Sequence, residues 1–270
     1  MADPKRDKIE ERDIQGLKYF DQLAPLLARL HDDGCARDRA GNRTLHYDQY
    51  CLLILLYLFN PIVTSLRGLQ QASELPKVQM KLGCSRASLG SLSEATTVFD
   101  PQRLQEIVQE LGQQLQPLGR DPRLRDVPGA LTAVDGSLLS VLPKIMQASC
   151  LKAQTGSGLV KWRLATNLLD VPAEIIALIY IYRWTIEIFF RFFKHVLGCR
   201  HLLSHSHNGI QIQTYCAIIA CLLISLWTGR KPTLRTYEMI CWYFTGMAGE
   251  EELLAHLAKL KAHDEAKRKT

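Results

Sequence analysis

Apolar and polar positions recur with a helical period over most of the first 118 residues. In "IQGLKYFDQLAPLLARLHDDG" (14–34) apolar side chains return every three or four positions, which predicts a helix that ends at Gly34. The segment "YDQYCLLILLYLF" (47–59) is apolar on nearly every side, which predicts a helix buried in a core. A further helix is predicted from Asp100, an N-cap residue followed by Pro101 at the first helical position.

Short helices separated by brief turns are predicted within residues 64–98. Their spacing is compatible with a helix-turn-helix DNA reader, in which Ser85, Arg86 and Ser88 would begin the second helix. A plain helical bundle gives the same spacing. The pattern alone leaves both interpretations open.

The helical pattern breaks at residues 119–129, "GRDPRLRDVPG", which predicts a linker. Beyond it, "ALTAVDGSLLSVL" is typical of a strand that turns at Asp135-Gly136, and "LVKWRLATNL" of a second strand. A long helix is then predicted from Pro172 to Gly198, followed by helices near 210–228 and at the end of the chain.

These patterns predict an α/β protein that is mainly helical overall. The predicted organisation is a helical region at 1–118, a linker at 119–129, an α/β core at 130–246, and a C-terminal helix with a basic tail at 247–270.

The long helix carries one narrow polar stripe. On a helical wheel Tyr180, Arg183, Glu187, Arg191 and Lys194 fall within an arc of roughly 80°, while Ile, Tyr and Phe fill the rest of the circle. Charges on a mostly buried helix are tolerated when they are paired, hydrated in a cleft, or used on a ligand. One interpretation is an ion-pair ladder, because Arg183 and Arg191 each lie four residues from Glu187.

The stripe holds one acid and three bases, so pairing leaves positive charge over. A surplus of positive charge beside a carboxylate suits a site that holds a metal ion together with a polyanion. Asp135 would offer a second carboxylate at the end of its strand, so that Asp135 and Glu187 could share Mg²⁺; in isolation an Asp-Gly turn is its default interpretation. The net charge of +6 permits an anionic partner such as nucleic acid without requiring one.

The spacing Tyr180-x2-Arg183-x3-Glu187-x6-Lys194 resembles the signature of insertion-sequence DDE transposases, in the group typified by insertion sequence four. The "AVDGS" around Asp135 is similar to that family's first catalytic aspartate block. "TNLLDVPAEIIALIYIYRW" and "FFKHVLGCRHLLSHSHNG" resemble the blocks that flank its catalytic glutamate. The "SLRGLQQASEL" and "SRASLGSLSEA" segments resemble its N-terminal helical region, so the resemblance spans most of residues 40–230.

The resemblance implies an N-terminal helical DNA-binding region and a ribonuclease-H-like core that cuts and rejoins DNA with two divalent ions, Mg²⁺ or Mn²⁺. By position, Asp135 and Glu187 would be the catalytic metal ligands. Tyr180, Arg183 and Lys194, with Arg191 beside them on the stripe, would contact the DNA strand. The implied partners are the element's terminal inverted repeats, target DNA, and further copies of the chain in a homo-oligomer that holds both ends.

One part of the family pattern is absent. The family has a second catalytic aspartate, usually at an Asp-Arg-Gly-type strand end, between the first aspartate and the glutamate, and a sizeable β-rich insertion before the glutamate; an internal deletion would explain their absence here. Here only 51 residues separate Asp135 from Glu187, and Asp170 and Glu174 are the only acids among them. Asp170 is the remaining candidate third catalytic acid, although its place favours a helix-entry role. The sequence therefore predicts an abbreviated core, whose own catalysis is in doubt.

Two alternatives follow from this gap. The chain would be a non-catalytic, DNA-binding regulator of transposition, or a helical scaffold whose stripe is an ion-pair ladder. His195, His201, His205 and His207 lie near Cys199, but without a paired Cys set they favour a solvated or DNA-facing loop over a zinc site.

Cysteine use and hydropathy predict the compartment. The eight cysteines form no CxxC pair and most lie in apolar runs, which is typical of buried thiols in a reducing, cytoplasmic setting. The charged start of the chain has no apolar targeting segment. The apolar runs at 51–59 and 217–227 are shorter than the ~20 residues of a membrane span, so we expect core helices and no membrane association.

Overall fold

The computed structural model describes residues 8–33, 44–115, 124, 126–127, 149–155, 158–164, 170–180, 187, 192–194, 202–230 and 232–269. This part of the chain is mostly helical. Its helices are α1 (Phe20–Leu27), α2 (Tyr47–Phe59), α3 (Leu66–Ser73), α4 (Pro76–Leu82), α5 (Leu89–Val98), α6 (Gln102–Gln114), α7 (His207–Thr228), α8 (Leu234–Phe244) and α9 (Glu250–Lys269). Short 3-10 turns occupy Glu11–Asp13, Leu17–Tyr19 and Ala28–Leu30.

The chain divides into two compact units. The larger joins Met1–Leu115 to Phe192–Thr270, and the smaller is Gln116–Arg191. The larger unit therefore draws on two separate stretches of sequence. The functional boundaries expected from the sequence, at 118, 129 and 246, remain predictions, because compactness does not identify which residues bind DNA.

Helix α2 forms the centre of the larger unit. Every residue of α2 except Asp48 is buried, as its nearly continuous apolar sequence predicts. Tyr47 stacks on Phe99 at 4.5 Å between ring centroids, and its hydroxyl donates to the carbonyl of Asp100 at 2.9 Å. The polar end of an otherwise apolar side chain is thereby paired inside the core.

Helix α7 packs against α2, α5 and α6 in the same core. It is long and apolar enough to cross a bilayer by length and composition alone, with a mean hydropathy of 1.8 over its most apolar 18 residues. Half of that window is buried inside the protein, and core helices of soluble proteins pass the same test. The burial of Ile212, Cys216 and Ala220 assigns this face of α7 to the core.

The end of α8 meets the start of α1 and the end of α2 at Phe244. The Phe244 ring lies 5.3 Å from that of Phe59 and 6.0 Å from that of Phe20, centroid to centroid. Its carbonyl accepts from the Gln15 backbone N–H at 2.8 Å and from Asn60 Nδ2 at 3.1 Å. We call these five residues the Phe244 junction. It joins Phe244 to residues that lie between 184 and 229 positions before it in the chain, through both apolar and polar contacts.

The smaller unit contains one described hairpin. Strands β1 (Ser149–Thr155) and β2 (Gly158–Leu164) pair antiparallel, with Ser149 opposite Leu164 and Thr155 opposite Gly158. The sequence predicted a Gly/Ser turn followed by a strand here, and β2 occupies most of that predicted strand. The other predicted strand, around Asp135, lies outside the described residues.

Two local predictions differ from the structure. The helix expected over 14–34 is only eight residues of α-helix, because Gly16 takes a left-handed conformation before it and a 3-10 turn follows it. The sequence predicted helices near 210–228 and at the end of the chain with a mixed basic segment between them, and that segment contains α8, which begins where the Thr233 side chain accepts from the Thr236 N–H.

Five cysteines whose side chains the structure describes are free and buried, as the sequence predicted; they are Cys51, Cys84, Cys216, Cys221 and Cys241. Burial raises the pKa of Cys84 to about 11 and the pKa of Cys221 to about 12. Burial also raises the pKa of Cys241 to about 12. These thiols therefore stay neutral, and weakly nucleophilic, well above pH 8.

We expect these five thiols to resist labelling in the native protein. In a variant with Cys35, Cys150 and Cys199 changed to serine, a disulfide reagent at pH 8 should label almost nothing until denaturant is added, and then five thiols per chain. For Cys84, Cys221 and Cys241 the raised pKa also keeps the thiolate fraction very small at pH 8. Rapid labelling of two or more thiols at pH 8 would contradict the buried arrangement.

Candidate functional site

The helical segment that carries the stripe begins where the sequence predicted. Residues 173–180 are helical, and the backbone N–H groups of Ile175 and Ile176 donate to the carbonyl of Pro172 at 3.0 and 3.1 Å. Ile176 and Leu178, two positions apart in this segment, are both buried. Asp170 lies in the turn that precedes the helical residues, and it is exposed. This is the helix-entry position that its sequence context favours.

Two stripe residues are described in the smaller unit. Tyr180 and Glu187 are helical and half-buried, so both side chains keep part of their surface accessible. Glu187 supplies carboxylate oxygens, the ligand type that Mg²⁺ and Mn²⁺ prefer. Asp135, Arg183 and Arg191 lie outside the described residues. The pairing of Asp135 with Glu187 at one ion therefore stays a prediction.

Lys194 belongs to the larger unit, in a short helical stretch that is anchored on its opposite side. Phe192 is buried, and its ring meets that of Tyr237 edge-on at 6.0 Å. Positions two apart on a helix point about 200° apart, so burial of Phe192 directs Lys194 outward. Lys194 is exposed. An exposed ammonium on an anchored helix is suited to contact a phosphate.

A second group of basic side chains lies in the larger unit, where α8 begins and α9 passes. Burial lowers the pKa of His256, and the positive charges of Arg235, Arg230 and Lys259 lower it further. His256 Nε2 is buried and has no hydrogen-bond partner among the described residues. We call these four residues the α8–α9 cationic cluster. The lowered pKa keeps His256 mostly neutral at pH 7, so the charge of the cluster comes from Arg230, Arg235 and Lys259. Like charges held together are stabilised by an anion, so the cluster is a candidate phosphate contact.

Sequence reasoning missed this cluster. Arg230 and Arg235 were visible in "GRKPTLR", but His256 and Lys259 belong to the terminal helix. Only the packing of α9 beside α8 brings the two pairs together. The signal available in the sequence was a basic segment that precedes a helix. Such a segment does not indicate which residues of the terminal helix lie beside it.

The proposed helix-turn-helix residues lie on the surface of the larger unit. Ser85 and Arg86 fall in the connection before α5, and Ser88 caps that helix by accepting from the Ser91 N–H at 3.0 Å. Arg86 Nε donates to Glu74 Oε1 at 2.9 Å, so this guanidinium is paired within the protein. Of the three residues expected to begin the second helix, only Ser88 does so, as the N-cap residue directly before Leu89.

Comparisons with known proteins agree on one family. Residues 90–223 match the transposase DDE domain. The match starts within α5 and extends into α7, and it includes Asp135, Asp170, Glu187 and Lys194. No solved structure matches the chain significantly.

Three curated relatives are transposases. A probable transposase for insertion sequence element IS5377 of Geobacillus stearothermophilus is 39% identical over 62 residues, which are 23% of this chain and 16% of the relative. A putative transposase, y4zB, of Sinorhizobium fredii is 38% identical over 63 residues, or 23% of this chain and 18% of the relative. A putative transposase for insertion sequence element IS4SA of Synechocystis is 40% identical over 73 residues, which are 24% of this chain and 22% of the relative.

The aligned part therefore spans about a fifth of the length of these relatives. The DDE domain implies a ribonuclease-H-like fold and the use of divalent metal in general. The matched residues include Asp135 and Glu187, the two carboxylates of the predicted metal site. The Tyr-Arg-Glu-Lys spacing of the sequence had already indicated the same DDE transposase family. This chain therefore carries a transposase DDE domain at residues 90–223, and its curated relatives include transposases of insertion sequence elements.

Proposed function

We propose that this chain acts as an insertion-sequence transposase, which binds the inverted ends of its element and cuts and joins DNA with divalent metal. The observation that carries the proposal is the Tyr180-x2-Arg183-x3-Glu187-x6-Lys194 spacing inside the matched domain. It is supported by the exposure of Lys194 and the partial exposure of Tyr180 and Glu187.

In this proposal Asp135 and Glu187 hold Mg²⁺ or Mn²⁺ through hard carboxylate oxygens. When bound, the metal activates the attacking oxygen and stabilises the departing one. Arg183 would clamp a phosphate through its planar fork, and Lys194 would add a point charge to the same strand. Tyr180 and Arg191 would complete the DNA-facing stripe. This core is abbreviated, and it follows a helical DNA-binding region at 1–118.

The proposed setting follows from the same assignment. Transposition joins two element ends, so the working form would be a homo-oligomer bound to the inverted repeats and to target DNA. The buried free thiols and the packing of α7 in the core support the proposal of a soluble, cytoplasmic protein without a membrane partner.

A second candidate function is a regulator that occupies element ends without cutting them. The observation that favours it is the missing second aspartate between Asp135 and Glu187. Asp170 is poorly placed to replace it. At a rise of about 1.5 Å per residue, the continuous helix predicted by the sequence would separate residues 173 and 187 by about 21 Å, too far for a shared ion.

The test uses the DNA that flanks the gene, labelled and offered to the purified chain with Mg²⁺ and then Mn²⁺. Cleavage at the ends that Glu187→Gln abolishes while binding persists would establish the transposase. Binding of the ends without cleavage, in wild type and variant alike, would establish the regulator. Absence of salt-dependent DNA affinity would refute both and leave a helical scaffold.

The α8–α9 cationic cluster gives a separate prediction for DNA affinity. In the double variant Arg235→Gln/Lys259→Gln the affinity for duplex DNA should fall roughly tenfold or more at 0.1 M salt, because each lost phosphate contact releases about one counterion fewer. The slope of log affinity against log salt should decrease by about two. Electrophoretic mobility shifts over a salt series measure both.

Lys261→Gln is the matched control, since Lys261 is an exposed lysine of α9 outside the cluster. It should leave the salt slope nearly unchanged. Equal effects of the double variant and Lys261→Gln would show that the cluster contributes only general charge.

A further inference from the structure

A group of metal-ligand side chains lies in the larger unit, outside the DDE motif. His31 and Asp32 follow the 3-10 turn Ala28–Leu30, and His46 directly precedes α2. Each offers a ligand atom, and these atoms lie within 4.8 Å of one another. The two imidazole rings stack with centroids 3.8 Å apart and planes 9° from parallel. We call these three residues the His31–His46 cluster.

The hydrogen bonds of both histidines fix where their protons lie. His31 Nδ1 is 3.0 and 3.1 Å from the carboxylate oxygens of Asp48, and His46 Nδ1 is 3.0 Å from the backbone carbonyl of His31. A carboxylate and a carbonyl only accept, so Nδ1 is the donor in each ring. In the neutral rings this leaves the lone pair on Nε2.

This arrangement is the one that metal-binding histidines adopt. A ligating imidazole donates its other N–H to a carboxylate or a backbone carbonyl, which holds the tautomer and raises the basicity of the ligating nitrogen. Here one histidine has the carboxylate partner and the other has the carbonyl partner. The Asp48 side chain is only 15% exposed, so it orients His31 from a sheltered position.

We propose that the His31–His46 cluster binds one divalent transition-metal ion of the zinc class. His31 Nε2, His46 Nε2 and a carboxylate oxygen of Asp32 are the ligands, and water completes the coordination. Two imidazoles with one carboxylate suit Zn²⁺, whereas Mg²⁺ selects sites made of oxygen alone. The site is therefore chemically distinct from the proposed Asp135–Glu187 pair, and it goes beyond the proposed DNA reaction.

Coordination requires a local rearrangement. Tetrahedral Zn²⁺ with bonds of about 2.0–2.1 Å to nitrogen places two ligand atoms about 3.4 Å apart. Each Nε2 lone pair lies in the plane of its ring, and lone pairs in two stacked, nearly parallel planes cannot both point at one ion, so the imidazoles must turn out of their stack. His31, Asp32 and His46 flank residues 34–43 in sequence, so the bound ion would join the two ends of that segment.

Calorimetric titration of the purified, metal-free chain with Zn²⁺ tests the proposal. We expect one site per chain, and a melting temperature raised by roughly 5 °C or more once free Zn²⁺ exceeds Kd about 100-fold. Asp32→Asn and His31→Gln should each weaken binding at least 100-fold, and Asp48→Asn about tenfold, because Asp48 only orients His31. Co²⁺ should give visible absorption bands with the wild type, and these should be lost in Asp32→Asn.

The controls separate this site from its neighbours and from the DNA reaction. Asp33→Asn changes the adjacent acid, which pairs with Arg103 at 3.6 Å, and it should leave Zn²⁺ affinity unchanged. Glu187→Gln should also leave Zn²⁺ affinity unchanged, whatever it does to DNA cleavage. Asp32 is exposed, so its variant should melt like the wild type without metal. Zn²⁺ affinity unaltered by Asp32→Asn and His31→Gln, or no stoichiometric binding, would overturn the site and leave a stacked, hydrogen-bonded histidine pair.

Discussion

Replacing Asn60 with alanine is expected to lower the free energy of unfolding by about 3 kcal/mol. Asn60 is fully buried at the end of α2. Its Nδ2 donates to the carbonyls of Asp13 at 2.8 Å and Phe244 at 3.1 Å, and its Oδ1 accepts from the Ile62 N–H at 3.0 Å. Each lost bond costs about 1 kcal/mol, since the partner groups stay shielded from water.

The Asn60 effect is measured by urea unfolding followed by far-ultraviolet circular dichroism. The midpoint should fall while the dependence of free energy on urea stays constant, because the same surface is exposed on unfolding. Gln113→Ala is the control, since Gln113 is exposed on α6, and it should change stability by less than about 0.5 kcal/mol. A loss below about 1 kcal/mol in Asn60→Ala would mean that the three bonds do not hold the Phe244 junction together.

Gly16→Ala is expected to cost about 3 kcal/mol through two separate effects. Gly16 has φ of +70°, in the left-handed region that strains a residue with a Cβ by about 1–2 kcal/mol. A Cβ there would also lie 2.9 Å from Cε2 of Phe244. The Phe244 ring cannot withdraw easily, because the rings of Phe20 and Phe59 pack against it.

Gly83 separates the two effects. It has φ of +61°, and no atom lies within 4 Å of the position that an added Cβ would take, so Gly83→Ala should show the backbone cost alone. The double variant Gly16→Ala/Phe244→Leu should be less destabilised than the sum of its parts, because the smaller side chain relieves the collision. Thermal melts of the wild type, the three single variants Gly16→Ala, Gly83→Ala and Phe244→Leu, and the double variant provide the comparison. Equal losses in Gly16→Ala and Gly83→Ala would show that the ring yields to the added methyl group.

The sequence predicted the structure most accurately where a single physical signal dominates the local pattern. The apolar run at 47–59 coincides with α2, because a helix pairs the backbone groups of a buried segment within the segment itself. The start of α6 was also anticipated, with a shift of one position. Asp100 Oδ1 accepts from the Gln102 N–H at 3.0 Å, while Pro101 occupies the cap itself.

The sequence did not predict which residues distant along the chain lie close together in the fold. The His31–His46 cluster needs residues 15 positions apart to stack, and the α8–α9 cationic cluster needs two helices to pack side by side. Neither has a local spacing that a periodicity argument detects. The Tyr180, Glu187 and Lys194 assignments came from a motif, whose spacing records a shared ancestry rather than a calculated fold. Their roles therefore stay predictions that the Glu187→Gln experiment decides.

The Phe244 junction has a consequence for synthesis on the ribosome. Asn60 leaves the exit tunnel long before its acceptor Phe244 is made, with 184 positions between them. At about 5–20 residues per second that interval is roughly 9–37 s. The Tyr237 hydroxyl, which donates to the carbonyl of Leu58, arrives equally late. During this interval the apolar surface of the nascent α2 is uncovered. We therefore expect a chaperone that holds unfolded chains to bind the partly synthesised polypeptide.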